Sequence, residues 1–154
     1  IAYCGRTRQD GVAYAYHATP HALAAACDIL LVAAPGGTAT RHLVDAQVLD
    51  ALGPEGFLIN IARGSLVDEP ALIGALQARR IAGAGLDVFA GEPHVPDAFL
   101  ALDNVVLLPH VGSATHATRA AMEQLLVDNV DAYATDRPLL TPVAECLLVV
   151  SKAQ

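Results

Sequence analysis

Three side chains combine the type and the surroundings needed for acid–base and anion chemistry: Arg63, Glu92 and His110. His110 directly follows the apolar run 105–108 and Pro109, and Gly112 two residues later permits a tight turn. Imidazole is the side chain whose ordinary pKa lies nearest neutral pH, so it can both give and take a proton there. The other five histidines, His17, His21, His42, His94 and His116, have no comparable place at a strand end and read as solvated or structural. Arg63 follows a second apolar run, 57–61, with Gly64 behind it to let a ligand approach the backbone. Its planar fork of donors matches a carboxylate in two-point contact. A surface ion pair is the plain alternative at that position. Glu92 precedes Pro93 and, alone, reads as an acid in a turn. Asp87, after a third apolar run, reads by itself as a capping carboxylate.

These side chains need a scaffold that places strand ends together. Apolar runs at 28–33, 57–61, 82–87 and 105–108 alternate with helical patterns at 21–26, 45–51, 69–79 and 114–134. Strands apolar enough to be buried on both faces, alternating with helices, predict an α/β fold with a parallel sheet covered by helices. Thr19-Pro20 and Asp68 with Pro70 supply helix starts. Ligands of such sheets bind outside the carboxyl ends of the strands, which is where Arg63, Asp87 and His110 fall. Residues 1–4 read as another strand, followed by the loop Gly5-Arg6-Thr7-Arg8. In a doubly wound, Rossmann-type sheet the first strand is central. If 1–4 is the second strand, that central strand and its glycine-rich turn lie outside this chain, which is expected to be part of a longer protein. Gly83-Ala84-Gly85 is no substitute, since it lacks a third glycine and enters a strand.

Composition narrows the class. The 154 residues are 54% hydrophobic and 16% charged, enough for a core and far from a disordered composition. A net charge of −7 disfavours nucleic acid as a partner. No apolar run reaches membrane-spanning length, and the N-terminus lacks a secretory layout, so a cytoplasmic protein is expected. Cys4, Cys27 and Cys146 have no metal-ligand spacing and read as reduced thiols; no metal is expected.

Three segments carry a specific resemblance. Leu58-Ile59-Asn60-Ile61-Ala62-Arg63-Gly64-Ser65-Leu66-Val67-Asp68-Glu69 is similar to the signature of the D-2-hydroxyacid dehydrogenases. So are Gly83-Ala84-Gly85-Leu86-Asp87-Val88-Phe89-Ala90-Gly91-Glu92-Pro93 and Asn104-Val105-Val106-Leu107-Leu108-Pro109-His110-Val111-Gly112-Ser113-Ala114-Thr115, in family order. The resemblance runs along essentially the whole chain and is strongest to the glyoxylate/hydroxypyruvate and hydroxyphenylpyruvate reductase branch. It implies hydride transfer between a nicotinamide and a small 2-oxo or 2-hydroxy acid. Arg63 would hold the carboxylate and polarise the carbonyl, and His110 would supply the proton. Glu92 would pair with the imidazole, favouring its protonated form and fixing its orientation. It also implies that residues 1–140 are a partial dinucleotide-binding domain carrying the catalytic residues. The segment 141–154 would return toward a substrate domain that is mostly absent, and this stretch alone would be inactive.

Cofactor contacts follow from the same source. Pro35, Ala34 and Thr40 would line the adenosine and ribose side. Ile61, Ala62, Arg63, His110, Gly112 and Ser113 would lie near the nicotinamide, and Asp87 would bond its carboxamide. NAD enzymes place an acid at the end of the second strand to bond the ribose 2′-hydroxyl. Here that place holds Arg6, Thr7 and Arg8, with no carboxylate before Asp10. Two guanidiniums and a hydroxyl suit a 2′-phosphate, so NADP is expected, with NAD the alternative. A homodimer through the cofactor domain is the family's usual assembly. Two other readings are a nucleotide-sensing scaffold without turnover and a formate dehydrogenase. Glu92, and the lack of a glutamine before His110, disfavour the second.

Overall fold

The computed structural model describes residues 1–143. The chain divides into two compact units, Ile1–Gly112 and Ser113–Gln154. Cys146 and most of the segment 141–154 lie outside the described residues.

The first unit is a parallel α/β fold, as expected. Its elements are β1 (Ala2–Cys4), β2 (Ala15–His17), α1 (Pro20–Ala24), β3 (Ile29–Val32), α2 (Ala46–Leu52), β4 (Phe57–Asn60), α3 (Glu69–Gln77), β5 (Gly83–Leu86), α4 (Asp97–Leu100) and β6 (Val105–Leu107). β1 and β2 form one parallel ladder; β3-β4-β5-β6 form a second, also parallel and in that order. Helix starts follow side-chain chemistry. Thr19 accepts from the Ala22 amide, Asp45 from those of Gln47 and Val48, and Asp68 from that of Ala71. Each satisfies an N–H that the first turn would otherwise orphan. α2 ends on Gly53, whose φ of 79° favours glycine.

Burial on both sheet faces is the one architectural expectation that this unit does not meet. Leu30, Val32, Leu58, Ala84 and Leu86 are buried with Leu49 of α2 and Leu72 and Leu76 of α3. On the opposite face Ile29, Leu31, Phe57 and Val106 are exposed. The reason is topological. Each crossover from β3 to β6 steps to the next strand in the same direction, and right-handed crossovers in one direction place their helices on one face.

Two elements carry no sequence signal. β2 is three residues long and exists through its pairing with β1, Ala2 to Ala15 and Cys4 to His17. α4 is one turn, placed by Phe99, which is fully buried and stacks at a tilt on Phe89 with ring centroids 6.3 Å apart. Burying such a ring contributes about 1.5–3 kcal/mol, enough to seat one turn. Burial raises the thiol pKa of both Cys4 and Cys27, the latter helped by Asp28, so neither is poised to react.

The second unit is built on α5 (His116–Ala134), capped by Thr115, which accepts from the Thr118 amide. Asn129 accepts from the amides of Leu140 and Thr141 and ties the following segment back to the helix. No helix among the described residues is long and apolar enough to cross a membrane.

Candidate active site

Most expected site residues of the first unit follow a strand end, while Thr40 lies in the loop after β3 and Glu92 in the loop after β5. Arg6–Arg8 follow β1, Ala34 and Pro35 follow β3, 61–63 follow β4, Asp87 follows β5, and His110 and Gly112 follow β6. Ser113 opens the second unit, where its carbonyl accepts from the Thr115 amide. Arg6, Thr7 and Arg8 are exposed, and Gln9 donates to the Thr7 carbonyl. Thr40 closes its loop by donating to the carbonyl of Pro35 at 2.8 Å.

Arg63 is held from below by a residue the sequence reading assigns no role. Asn60 closes β4 at 1% exposure; its Nδ2 donates to the Arg63 carbonyl and its Oδ1 accepts from the Ala62 amide, both at 3.0 Å. A buried amide must be satisfied, so these bonds lock the path of 61–63. Its sequence signal is a polar residue at the end of an otherwise apolar strand, Phe57-Leu58-Ile59-Asn60. Ile61 is exposed, while the Ala62 side chain belongs to the core. Gly64 packs directly on backbone: a Cβ there would sit 1.9 Å from the Phe89 carbonyl carbon. A Cβ at Gly36 would meet Arg63 Cγ at 2.9 Å, so the arginine stem lies against the loop after β3. The guanidinium donates Nη1 to the Ala62 carbonyl at 2.6 Å and borders an open cleft of about 630 Å³. Pro35, Gly37, Ser65 and Glu92 are among that cleft's walls.

Glu92 and His110 meet across 18 residues of sequence, with Oε2 and Nδ1 2.8 Å apart. The other carboxylate oxygen accepts from the Phe89 amide at 2.9 Å. The hydrogen bond to His110 is the largest of the causes that hold the Glu92 carboxyl below its ordinary pKa. The Phe89 amide and the charges of His110 and Arg63 add to it, and partial desolvation opposes them. An ionised carboxylate can only accept, so Nδ1 carries the proton in this bond and Nε2 is the nitrogen left for a ligand. A second, apolar cleft of about 540 Å³ borders the pair, with Val95, Leu100, Leu107 and Leu108 in its lining.

His110 adopts a φ of 55°, a left-handed conformation uncommon outside glycine. Asp87, 5% exposed, sits beneath this turn. Its carbonyl accepts from the His110 amide at 2.9 Å. Its Oδ1 and Oδ2 accept from the amides of Val111 and Gly112, each at 2.8 Å. The arrangement therefore joins a cation that can grip an anion, an imidazole oriented by a carboxylate, and two clefts that share Phe89 and Glu92.

Known proteins carry the same pattern. The family model described as D-isomer specific 2-hydroxyacid dehydrogenase, NAD binding domain, matches residues 1–112. The glyoxylate/hydroxypyruvate reductase A of Arabidopsis thaliana is 55% identical over 143 residues, covering 93% of this chain and 46% of that protein. The 2-ketogluconate reductase of Gluconobacter oxydans is 57% identical over 122 residues, covering 79% of this chain and 39% of that protein. Among solved structures, the NADPH-dependent glyoxylate/hydroxypyruvate reductase of Sinorhizobium meliloti in complex with NADP and malonate superposes with a TM-score of 0.91. It is 54% identical, covering 94% of this chain and 46% of that one. The chain thus spans about half the length, or less, of the relatives it matches. By the family match, the relatives and the strand-end geometry together, this chain belongs to the D-isomer specific 2-hydroxyacid dehydrogenase family, residues 1–112 corresponding to its NAD binding domain.

Proposed function

We propose that the protein reduces a small 2-oxo acid such as glyoxylate or hydroxypyruvate to the 2-hydroxy acid, with NADPH as hydride donor. The observation that carries this reading is the Glu92–His110 pair at 2.8 Å, in a wall shared with the cleft that Arg63 borders. A bound nicotinamide supplies the hydride. The residues of this chain do the rest. Arg63 grips the substrate carboxylate and polarises the carbonyl, which develops negative charge as the reaction proceeds. His110 gives its Nε2 proton to the nascent alkoxide. Glu92 keeps the ring oriented.

The donor set fits NADP. Arg6, Thr7 and Arg8 stand exposed at the carboxyl end of β1, with no acid before Asp10, so guanidiniums are available where a 2′-phosphate would lie. The Sinorhizobium neighbour was solved with NADP. In the full-length protein, kcat/KM with NADPH should exceed that with NADH by about 10- to 100-fold, the worth of charge-assisted hydrogen bonds. The rate of reduced-nicotinamide consumption with glyoxylate and hydroxypyruvate measures it. Preference for NADH would remove the NADP assignment, and cofactor binding without turnover on any 2-oxo acid would remove the activity.

Glu92→Gln keeps the shape of the side chain and removes its charge. In the wild type the carboxyl titrates below its ordinary pKa, so it remains ionised as the pH falls through the normal glutamate range. Without that charge the imidazole loses the partner that orients it. The kcat for 2-oxo acid reduction is therefore expected to fall in the variant wherever the wild-type carboxyl is ionised, the normal glutamate range included. A pH profile of kcat identical to wild type would refute the pairing's role.

A further inference from the structure

Two tyrosines fasten the cationic loop that leaves β1. Tyr3 and Tyr16 are partners in the parallel β1–β2 register, both half-buried, with ring centroids 5.3 Å apart. Both hydroxyls engage the loop backbone. The Tyr16 hydroxyl donates to the Gly5 carbonyl at 3.1 Å, and Tyr3 Oη accepts from the Gln9 amide at 2.8 Å. The two bonds therefore bracket Arg6, Thr7 and Arg8. Gln9 braces the middle of the loop: its Nε2 donates to the Thr7 carbonyl at 3.2 Å and to Thr7 Oγ1 at 3.4 Å. With a donor already on Oγ1, the Thr7 hydroxyl hydrogen is left to point elsewhere. Among the described residues neither Arg6 nor Arg8 is in an ion pair. An exposed loop with no ladder of its own would otherwise open at little free-energy cost, so these side-chain bonds decide its shape.

We propose that Tyr3 and Tyr16 are positioning residues that set the preference for NADPH over NADH, by holding Arg6, Thr7 and Arg8 in one arrangement before the cofactor arrives. The inference rests on the NADP reading above and adds to it the residues that make the loop selective. Ordering a mobile loop at the moment of binding weakens affinity, and a loop ordered beforehand escapes that loss. The benefit falls on the phosphorylated cofactor, because a 2′-phosphate offers charge and acceptor oxygens to all three side chains and a 2′-hydroxyl does not. The tyrosines act through the loop, without touching the cofactor themselves. Neither lines a cleft beside Arg63, Glu92 or His110, so the chemical step should not depend on them.

Tyr3→Phe, Tyr16→Phe and the double variant of the full-length protein test this. Phenylalanine keeps each ring, so the stacking and the β1–β2 ladder should persist; if the double variant folds poorly, the single variants carry the test. Wild type and variants are titrated directly with NADPH and with NADH. Each single substitution should raise the NADPH dissociation constant by about threefold to tenfold, the net contribution of one hydrogen bond, and the double variant by about tenfold or more. The NADH constant should change by less than about twofold. In turnover, KM for NADPH should rise with kcat unchanged, the pattern of lost ground-state binding. Hydrogen exchange at the Gln9 amide should quicken by at least about threefold in Tyr3→Phe. Equal weakening of both cofactors, the mark of a merely structural role, would overturn the proposal. So would a NADPH-to-NADH ratio of constants that shifts by less than about threefold in the double variant, or unchanged exchange at Gln9. Wild type alone tests the NADP reading: if it binds NADH as tightly as NADPH, that reading fails and the proposal with it. A wild-type preference for NADPH that survives both substitutions removes the tyrosines and leaves the reading standing.

Discussion

His110→Asn is expected to lower kcat for 2-oxo acid reduction by about two to four orders of magnitude, the range that a positioned proton donor contributes. Asparagine is the informative replacement because position 110 lies at φ 55°, and asparagine tolerates that region better than most side chains. The turn and its hydrogen bonds to Asp87 should therefore survive, while the new side chain can donate a hydrogen bond but cannot transfer a proton at neutral pH. Cofactor affinity should stay near wild type, because the imidazole's one hydrogen bond among the described residues is to Glu92. Saturating kinetics beside a direct cofactor titration separate the two effects. A loss smaller than about tenfold would mean that solvent or another group delivers the proton, and His110 would lose its assigned role.

Arg63→Gln is expected to cost about 10²–10³-fold in kcat/KM, the scale of removing one donor aimed at developing charge. The loss should appear in both kcat and KM, since one guanidinium both binds the carboxylate and stabilises the reacting oxygen. Arg63→Lys should recover only part of it, because a point charge lacks the planar fork. The fold should be indifferent. The guanidinium makes a single hydrogen bond among the described residues, to the neighbouring Ala62 carbonyl, and the loop is held by Asn60 instead. Surface substitutions of this kind usually stay within about 0.5 kcal/mol in stability, so an unaltered melting temperature beside a large kinetic loss is the expected signature. The charge of Arg63 also helps to lower the Glu92 pKa, so that carboxyl should titrate somewhat higher in Arg63→Gln than in wild type. Wild-type kcat/KM in the glutamine variant would place the carboxylate elsewhere.

Both predictions concern residues legible before any coordinates. The apolar runs 28–33, 57–61, 82–87 and 105–108 became β3 to β6 with no end trimmed by more than one residue. Local periodicity and turn chemistry act over a few residues, and a linear sequence displays them directly. Asp45 and Asp68 as helix caps belong to the same short range. The site was less legible. Arg63, Glu92 and His110 could be named from motif and position, but Glu92 alone reads as a turn residue before Pro93. Only folding brings it 2.8 Å from an imidazole 18 residues away.

The sequence by itself determined the α/β class, the order of strands and helices, and which polar side chains follow a strand end. These depend on near neighbours, whose chemistry the chain order states. The tertiary structure alone decided that the helices of the first unit cover one sheet face, that Asn60 locks the path to Arg63, and that the Asp87 carboxylate meets the amides of Val111 and Gly112. Each of these is a question of where a buried polar group finds its partner or which way a crossover turns. The answer depends on segments that become neighbours only once the parallel ladder has formed.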